Sequence, residues 1–146
     1  MNLLIINGPN INMLGIREPE IYGSGTYSEL VDFITASVES LGGRCDCYQS
    51  NHEGDIVTEI QNALGKYDAI IINPAAYTHT SVAILDALKS ISLPAVEVHI
   101  SDPMQREAFR HTSYAGMACI KRFAGFGWDG YKMAAEFLND YLKEQK

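Results

Sequence analysis

The chain has 146 residues and a mass of 16.1 kDa, which suits one folded domain with its own core and leaves little room for a second. Its 47% apolar and 20% charged residues are typical of a globular protein and exclude a disordered or fibrous chain. The 11 basic and 18 acidic residues give a net charge of −7, and the only adjacent basic pair is Lys121-Arg122. Without a basic stripe, we expect no binding to nucleic acid or to an anionic membrane.

The cysteines and the amino terminus bear on location. Cys45, Cys47 and Cys119 are odd in number and lack Cys-x-x-Cys spacing, which predicts reduced thiols in the cytoplasm rather than disulfides or a zinc site. The first residues lack a basic start, and their short apolar run ends at Asn7, so we expect no signal peptide. No apolar stretch is long enough to span a membrane.

Short apolar runs alternate with amphipathic helical patterns along the chain. The runs predict strands at 3–6, 44–48, 69–72, 95–100 and 118–123. The patterns predict helices from 26 or 28 to 41, at 55–64, 81–90 and 131–143, and a short helical turn opening at Asp102-Pro103. We expect Asp55 or Gly54 to cap the second helix. This alternation predicts an α/β fold, a doubly wound five-stranded parallel sheet in the order 2-1-3-4-5 with helices on both faces, in a single domain over residues 1–146.

Residues 11–26 carry Gly15, Gly23, Gly25 and Pro19 and show little periodicity. They predict a loop that is long for a compact domain, and long loops of this kind are usually functional. We expect this segment to act as a lid over a site.

Polar side chains follow the strands at their carboxyl ends, where ligands bind in doubly wound sheets. They are Asn10, Arg17 and Tyr22 after the first strand, Asn73, Tyr77 and His79 after the third, and His99 and Ser101 after the fourth. The set holds amides, imidazoles, a phenol, a guanidinium and a hydroxyl, but no carboxylate cluster or thiol. It therefore suits a polar, oxygen-rich ligand better than a divalent metal. Either histidine could equally be structural, and we interpret His52 and His111 as surface or satisfied residues.

Other ligand-binding folds fit the same loops less well. Neither a G-x-G-x-x-G motif nor a P-loop lysine follows the first strand. The stretch 23–26 before a helix could cradle a phosphate, but it does not follow a strand directly. A phospho-acceptor receiver would need carboxylates where this chain has Asn7, Asn10 and Asn73. A flavodoxin-like module that binds a small ligand or nucleotide without catalysis stays open as the alternative.

Several sequence blocks are informative together: INGPNI at 6–11, LGIREP at 14–19 with IYG at 21–23, NPAAYTHTS at 73–81, EVHIS at 97–101 and FRH at 109–111. GFG at 125–127 with Gly130-Tyr131 closes the pattern. In this order, across essentially the whole chain, they resemble the signature of the type II 3-dehydroquinate dehydratases. The resemblance implies a flavodoxin-like fold and a cofactor-free, metal-free lyase (hydro-lyase) that dehydrates 3-dehydroquinate to 3-dehydroshikimate.

The resemblance also implies roles for single residues. Tyr22 matches the base, His99 the general acid and Arg17 the residue that stabilises the transition state, while Asn10 works beside the acid. The substrate-binding positions are Asn73, His79, Asp86, Ile100, Ser101 and Arg110. The family forms homododecamers built as four trimers, in which the residue matching Asp86 reaches into a neighbour's site. The same reaction serves the shikimate pathway of aromatic amino acid biosynthesis and quinate breakdown, and the sequence leaves both open.

The implied chemistry removes a proton beside a ketone and expels a hydroxyl from the adjoining carbon, through an enolate intermediate. A tyrosine is a weak base at neutral pH because its ordinary pKa is about 10. A cation about 4 Å away favours tyrosinate by on the order of 4 kcal/mol, and Arg17 lies five residues from Tyr22. A Schiff-base route would need a buried lysine, and apart from Lys121 no lysine falls at a strand end in this pocket.

The chain departs from the family pattern at two places. Thr112 stands where many members have a second histidine after His111. Lys121-Arg122-Phe123 stands where members have small and apolar residues entering the last strand.

Overall fold

Five parallel strands form one sheet in the computed structural model, which describes residues 1–16, 18–22 and 24–146, the side chains of residues 19 and 22 excepted. The strands are β1 (Asn2–Asn7), β2 (Arg44–Gln49), β3 (Ala69–Asn73), β4 (Ala95–His99) and β5 (Lys121–Ala124). Their order in the sheet is β2-β1-β3-β4-β5, and every neighbouring pair is parallel. The predicted sheet order is confirmed.

Helices cover both faces of the sheet. They are α1 (Pro19–Tyr22), α2 (Tyr27–Glu39), α3 (Glu53–Asn62), α4 (Val82–Ile91) and α5 (Asp129–Glu144). Leu3 and Ile5 of β1 belong to the core formed with α2 and α5, whereas Leu4 and Ile6 belong to the core formed with α3 and α4. This alternation follows from the strand geometry, in which successive side chains point to opposite faces. No described helix is long and apolar enough to cross a membrane.

The segment 11–26 contains more regular structure than the loop we expected. A 3-10 helix spans Ile11–Met13, and the one-turn helix α1 spans Pro19–Tyr22. Proline favours the first position of a helix because its φ is already helical, and Glu20 places a negative charge in the first turn. Arg17 and Gly23 lie outside the described residues. The role of this segment as a lid stays a prediction.

Two element boundaries also correct the expectation. Helix α3 begins at Glu53 after His52, not at Asp55, because the Ser50 hydroxyl accepts a hydrogen bond from the His52 amide (2.9 Å) and forms the turn that precedes the helix. Strand β5 begins at Lys121 and not at residue 118, because Ala115–Ala118 form a 3-10 helix. The remaining elements lie within two residues of their predicted bounds, with α5 starting two residues early and β4 ending one residue early.

The turns after β1 and β3 pack tightly against each other. The Gly8 amide donates to the Asn73 carbonyl (2.8 Å), and a side chain at Gly8 would approach the Pro74 carbonyl oxygen to 2.4 Å. Only glycine fits at this contact. Asn10 and Ala75 in these turns have left-handed backbones, with φ of 71° and 53°. Asparagine adopts this conformation readily, whereas alanine does so at a cost that the surrounding structure must offset.

A buried hydrogen-bond network joins the two turns to α5. The fully buried Tyr131 hydroxyl donates to Asn7 Oδ1 (2.6 Å) and accepts from Asn73 Nδ2 (3.0 Å). Burial raises the pKa of Tyr131 above the ordinary tyrosine value, although the hydrogen bond with Asn73 opposes this effect, and the hydroxyl therefore stays protonated. The network fixes the side chain of Asn73 at the end of β3.

We predict that Tyr131→Phe lowers the free energy of unfolding by about 1–3 kcal/mol, because two buried amide atoms, Asn7 Oδ1 and Asn73 Nδ2, lose their bond to the hydroxyl. Tyr141→Phe on the same helix is the matched control and should cost less than about 0.5 kcal/mol. Urea unfolding of the three proteins measures both values. Equal losses in the two variants would contradict the network's role.

Candidate active site

Seven of the residues predicted for the site line one cleft at the carboxyl ends of β1, β3 and β4. The seven are Asn10, Asn73, His79, His99, Ile100, Ser101 and Arg110. The sheet brings them together because the carboxyl ends of parallel strands lie on one edge.

The cleft is basic although the chain as a whole is acidic. Arg106, which the sequence did not single out, lines it together with Arg110, His79 and His99. None of the described lining residues is acidic. Arg110 is paired with Glu107 at the exposed side, and this ion pair lowers the pKa of the Glu107 carboxyl below its ordinary value. The surroundings favour an anionic ligand.

A backbone carbonyl fixes the orientation of the His79 ring. Its Nδ1 lies 2.8 Å from the Thr112 carbonyl oxygen, which can only accept, so Nδ1 carries the hydrogen and Nε2 is left as an acceptor. Burial lowers the pKa of His79, and the neighbouring charges of His99 and Arg110 lower it further, against the hydrogen bond to Thr112. Because a backbone carbonyl makes this contact, the identity of the Thr112 side chain does not decide it.

The carboxylate of Glu97, a residue for which the sequence predicts no role, is buried beside His99. Glu97 is fully buried, and its Oε2 accepts hydrogen bonds from His99 Nε2 (2.7 Å) and from the Ser113 hydroxyl (2.5 Å). With Nε2 bonded to Glu97, Nδ1 is the nitrogen of His99 that remains for a ligand. One signal was visible in the sequence, a single acidic residue inside an otherwise apolar strand at 95–98, two positions before His99.

Burial alone would raise the pKa of Glu97. Three neighbours outweigh that effect and hold the pKa of Glu97 below its ordinary value of 4.5. They are His99, through its hydrogen bond and its charge, the Ser113 hydroxyl, and the charge of Arg122. Glu97 is therefore an ionised acceptor at neutral pH.

The remaining predicted residues lie outside this cleft or outside the described residues. Arg17 is not among the described residues, and the side chain of Tyr22, which ends α1, is not described either. Its neighbour Ile21 lines a second cleft that shares Ile100, Ser101 and Arg106 with the first, so α1 borders the site. Tyr77 does not line the cleft; its hydroxyl donates to the Asn51 carbonyl (2.8 Å).

Asp86 is exposed on α4 and does not line the cleft of its own chain. Apolar residues surround Asp86 in the sequence from 82 to 88, and if they cover more than one core-facing stripe they predict contact with another subunit. The structure buries Ile84, Leu85 and Leu88 within the chain and leaves Val82 as the large apolar side chain exposed on this helix. The apolar pattern of α4 is therefore mostly explained by packing within one chain.

Comparisons with known proteins agree with this geometry. The family model described as "Dehydroquinase class II" matches residues 1–139. A protein named 3-dehydroquinate dehydratase from Clostridium perfringens (strain 13 / Type A) is 50% identical over 146 residues, which are 99% of this chain and 100% of that protein. The chain belongs to the class II dehydroquinase family.

Solved structures of the same family have the same fold. The crystal structure of the type II dehydroquinase from Butyrivibrio crossotus DSM 2876 matches with a TM-score of 0.93 and 50% identity, covering 95% of this chain and 97% of that one. The type II dehydroquinase from Propionibacterium acnes matches with a TM-score of 0.92 and 37% identity, covering 95% and 96%. The flavodoxin-like α/β fold predicted from the sequence is confirmed.

We predict that Glu97→Gln lowers the free energy of unfolding at neutral pH by about 1–3 kcal/mol. A carboxyl whose pKa is lowered on folding stabilises the fold above its unfolded pKa of about 4.5, and this contribution is lost as the pH falls through the lower folded pKa. The difference between the two proteins should therefore shrink as the pH drops below about 4.5.

Urea unfolding between pH 7 and pH 3 measures this difference. Glu39→Gln, which makes the same change at an exposed position on α2, is the control and should show no such dependence. A Glu97→Gln difference that stays constant across this pH range would show that the ionised carboxylate contributes nothing specific.

Proposed function

We propose that the chain is a 3-dehydroquinate dehydratase, a hydro-lyase that removes water from 3-dehydroquinate to give 3-dehydroshikimate through an enolate, with no cofactor. One observation carries the proposal: in a chain of the dehydroquinase family, the buried His99–Glu97 pair faces a basic cleft at the carboxyl ends of the strands. This arrangement provides a positioned acid beside a site for an anionic, oxygen-rich substrate.

The cleft supports binding of a carboxylate with several hydroxyls. Ser101 and the nearby backbone amides are proposed to hold the substrate carboxylate, and Arg106 adds positive charge on that side. His79, with Nε2 as an acceptor, suits a ring hydroxyl as donor, and Arg110 binds a second hydroxyl. Asn73, fixed by Tyr131, supplies its amide from the floor of the cleft.

His99 is proposed to protonate the leaving hydroxyl. Its Nε2 is held by the Glu97 carboxylate, so an imidazolium formed on His99 is stabilised and its Nδ1–H can be delivered to the departing oxygen. The C–O bond breaks as this proton arrives, and the electron pair of the enolate forms the new double bond. Asn10 lines the cleft and is proposed to hold the leaving oxygen or a water beside His99.

Tyr22, as tyrosinate, is proposed to remove the proton from the carbon beside the ketone, with Arg17 stabilising the negative charge. The position of α1 supports this role, because Ile21 lies in the cleft that adjoins the His99 side of the site. Tyr22 gains one proton and His99 loses one, so the protein as a whole neither gains nor loses a proton when water leaves. Proton exchange with solvent then returns Tyr22 to tyrosinate and His99 to its protonated form.

The direct test is conversion of 3-dehydroquinate by the purified protein after exhaustive treatment with a chelator, followed by the ultraviolet absorbance of the conjugated product. We expect full turnover without added metal or cofactor. Tyr22→Phe should reduce turnover about 10²–10⁴-fold because it removes the proton acceptor, while the substrate still binds. Tyr141→Phe, the same change far along α5, should retain the parent rate.

Borohydride distinguishes the enolate route from a Schiff base. Treatment with borohydride and substrate should leave activity intact, since Lys121 lies at the amino end of β5, exposed, and away from the cleft. Irreversible inactivation with substrate mass on a lysine would refute the enolate route. Near-normal turnover by Tyr22→Phe would assign the base elsewhere, and His79 is the next candidate. No turnover at all would favour the alternative, a ligand-binding module without this activity.

The proposed assembly is a homododecamer of four trimers, in which Asp86 of one subunit completes the site of a neighbour. The exposure of Asp86 away from its own cleft is compatible with such a contact.

The proposed location is the cytoplasm, which is supported by the unpaired cysteines Cys45, Cys47 and Cys119. The proposed pathway role is the shikimate pathway.

We predict a sedimenting species near twelve times 16.1 kDa at micromolar concentration. Asp86→Ala should raise KM roughly tenfold without changing this mass, because it removes one charged partner of the substrate site. Asp140→Ala, at an exposed position on α5, is the control and should leave both quantities unchanged. A fully active species near 16 kDa would refute the shared site.

A further inference from the structure

Strand β5 also contacts the Glu97 carboxylate, which orients His99. Arg122 of β5 pairs in register with Glu97 of β4, and its Nε lies 3.5 Å from Glu97 Oε1. The Arg122 side chain is 34% exposed and that of Glu97 is fully buried. Within the described part of the chain, neither Arg122 Nε nor Glu97 Oε1 makes a hydrogen bond. The contact between them is therefore an ion pair.

The two oxygens of Glu97 serve different partners. Oε2 accepts from His99 and from Ser113, whereas Oε1 faces the guanidinium of Arg122. Arg122 does not line the candidate active site, so it meets the cleft only through this carboxylate. The Glu97 carboxylate therefore lies between the guanidinium of Arg122 and the imidazole of His99.

We propose that Arg122 is a positioning residue that acts on His99 through Glu97, holding the carboxylate in place and cancelling part of the negative charge that the imidazole experiences. The proposal rests on the proposed function, in which His99 is the general acid. A buried carboxylate on its own would favour the protonated imidazole strongly and make it a reluctant donor. A guanidinium on the far oxygen of Glu97 reduces this attraction between the carboxylate and the imidazolium.

Other groups also face this pair, and the substitution of Arg122 leaves them in place. His79, Arg106 and Arg110 share the cleft with His99 and disfavour additional positive charge there. Ser113 donates to Glu97 from its position before the 3-10 helix Ala115–Ala118. Burial and the charge of Glu97 raise the pKa of the Cys119 thiol to about 12, so this group is neutral. The Lys121 ammonium lies 5.5 Å from the centre of the Phe123 ring.

The test follows the His99 imidazole by NMR as a function of pH in the full-length protein without ligand. In Arg122→Met the His99 titration midpoint should rise by roughly half a pH unit to one pH unit, because the carboxylate is no longer compensated. Arg122→Lys keeps the charge and should restore most of the parent midpoint. Lys121→Met removes the same charge from the adjacent position of the same strand and should leave the midpoint unchanged.

Turnover provides a second readout. The fall in kcat at alkaline pH, where the general acid loses its proton, should move upward in Arg122→Met by the same amount as the NMR midpoint. If Arg122→Met does not fold, Arg122→Gln also removes the charge but keeps a polar side chain. The same shifts in the NMR midpoint and in the pH dependence of kcat are then expected for Arg122→Gln.

Three results would overturn the proposal. These are an unchanged or lowered His99 midpoint in Arg122→Met, an equal shift in Lys121→Met, and a loss of turnover in Arg122→Met with no change in either pH dependence. The NMR titration needs no substrate, so it separates this proposal from the proposed function. A shifted midpoint in a protein that never converts 3-dehydroquinate supports the coupling and refutes only the assigned reaction.

Discussion

The covering of the sheet on both faces determines where this protein can place polar chemistry. Strands β1, β3 and β4 are buried almost throughout, and helices pack on each side of them. Polar side chains can therefore gather only where the strands end, and parallel strands end on the same edge. Asn7, Asn73 and His99 are the last residues of these three strands, and all three are buried and hydrogen-bonded.

Glu97 is a charged side chain within a buried strand, not at its end. Its neighbours show how the protein stabilises this charge. An ionised carboxylate inside a sheet is costly unless charged or polar donors meet it. His99 on β4 and Ser113, before the 3-10 helix Ala115–Ala118, donate hydrogen bonds to it. Arg122 on β5 forms an ion pair with it. Arg122 therefore belongs to strand β5 and also meets the buried carboxylate. It extends the group of residues that makes the buried charge tolerable.

The sequence predicts the architecture well because alternation of strands and helices restricts the topology to few choices. The strand ends then identify Asn73, His79 and His99 as neighbours without any structural information. Other features depend on contacts between distant residues. The link from Arg122 to Glu97 follows from the register of β4 and β5, and the amino end of β5 depends on the 3-10 helix before it. Neither has a local pattern that could be recognised in a single sequence.

The two sides of the site differ in how they are fixed. On the side of the proposed acid, two side chains have buried partners, His99 on Glu97 and Asn73 on Tyr131. The segment that carries the proposed base packs against the core at described residues on either side of it. Leu14 is buried at one end, and at the other the Thr26 capping box starts α2, beside a Gly25 that packs too closely on Trp128 for any side chain. Between these anchors lies α1, whose Ile21 lines the cleft that shares Ile100 and Ser101 with the candidate active site, so the fold brings this helix to the site through residues outside the strands.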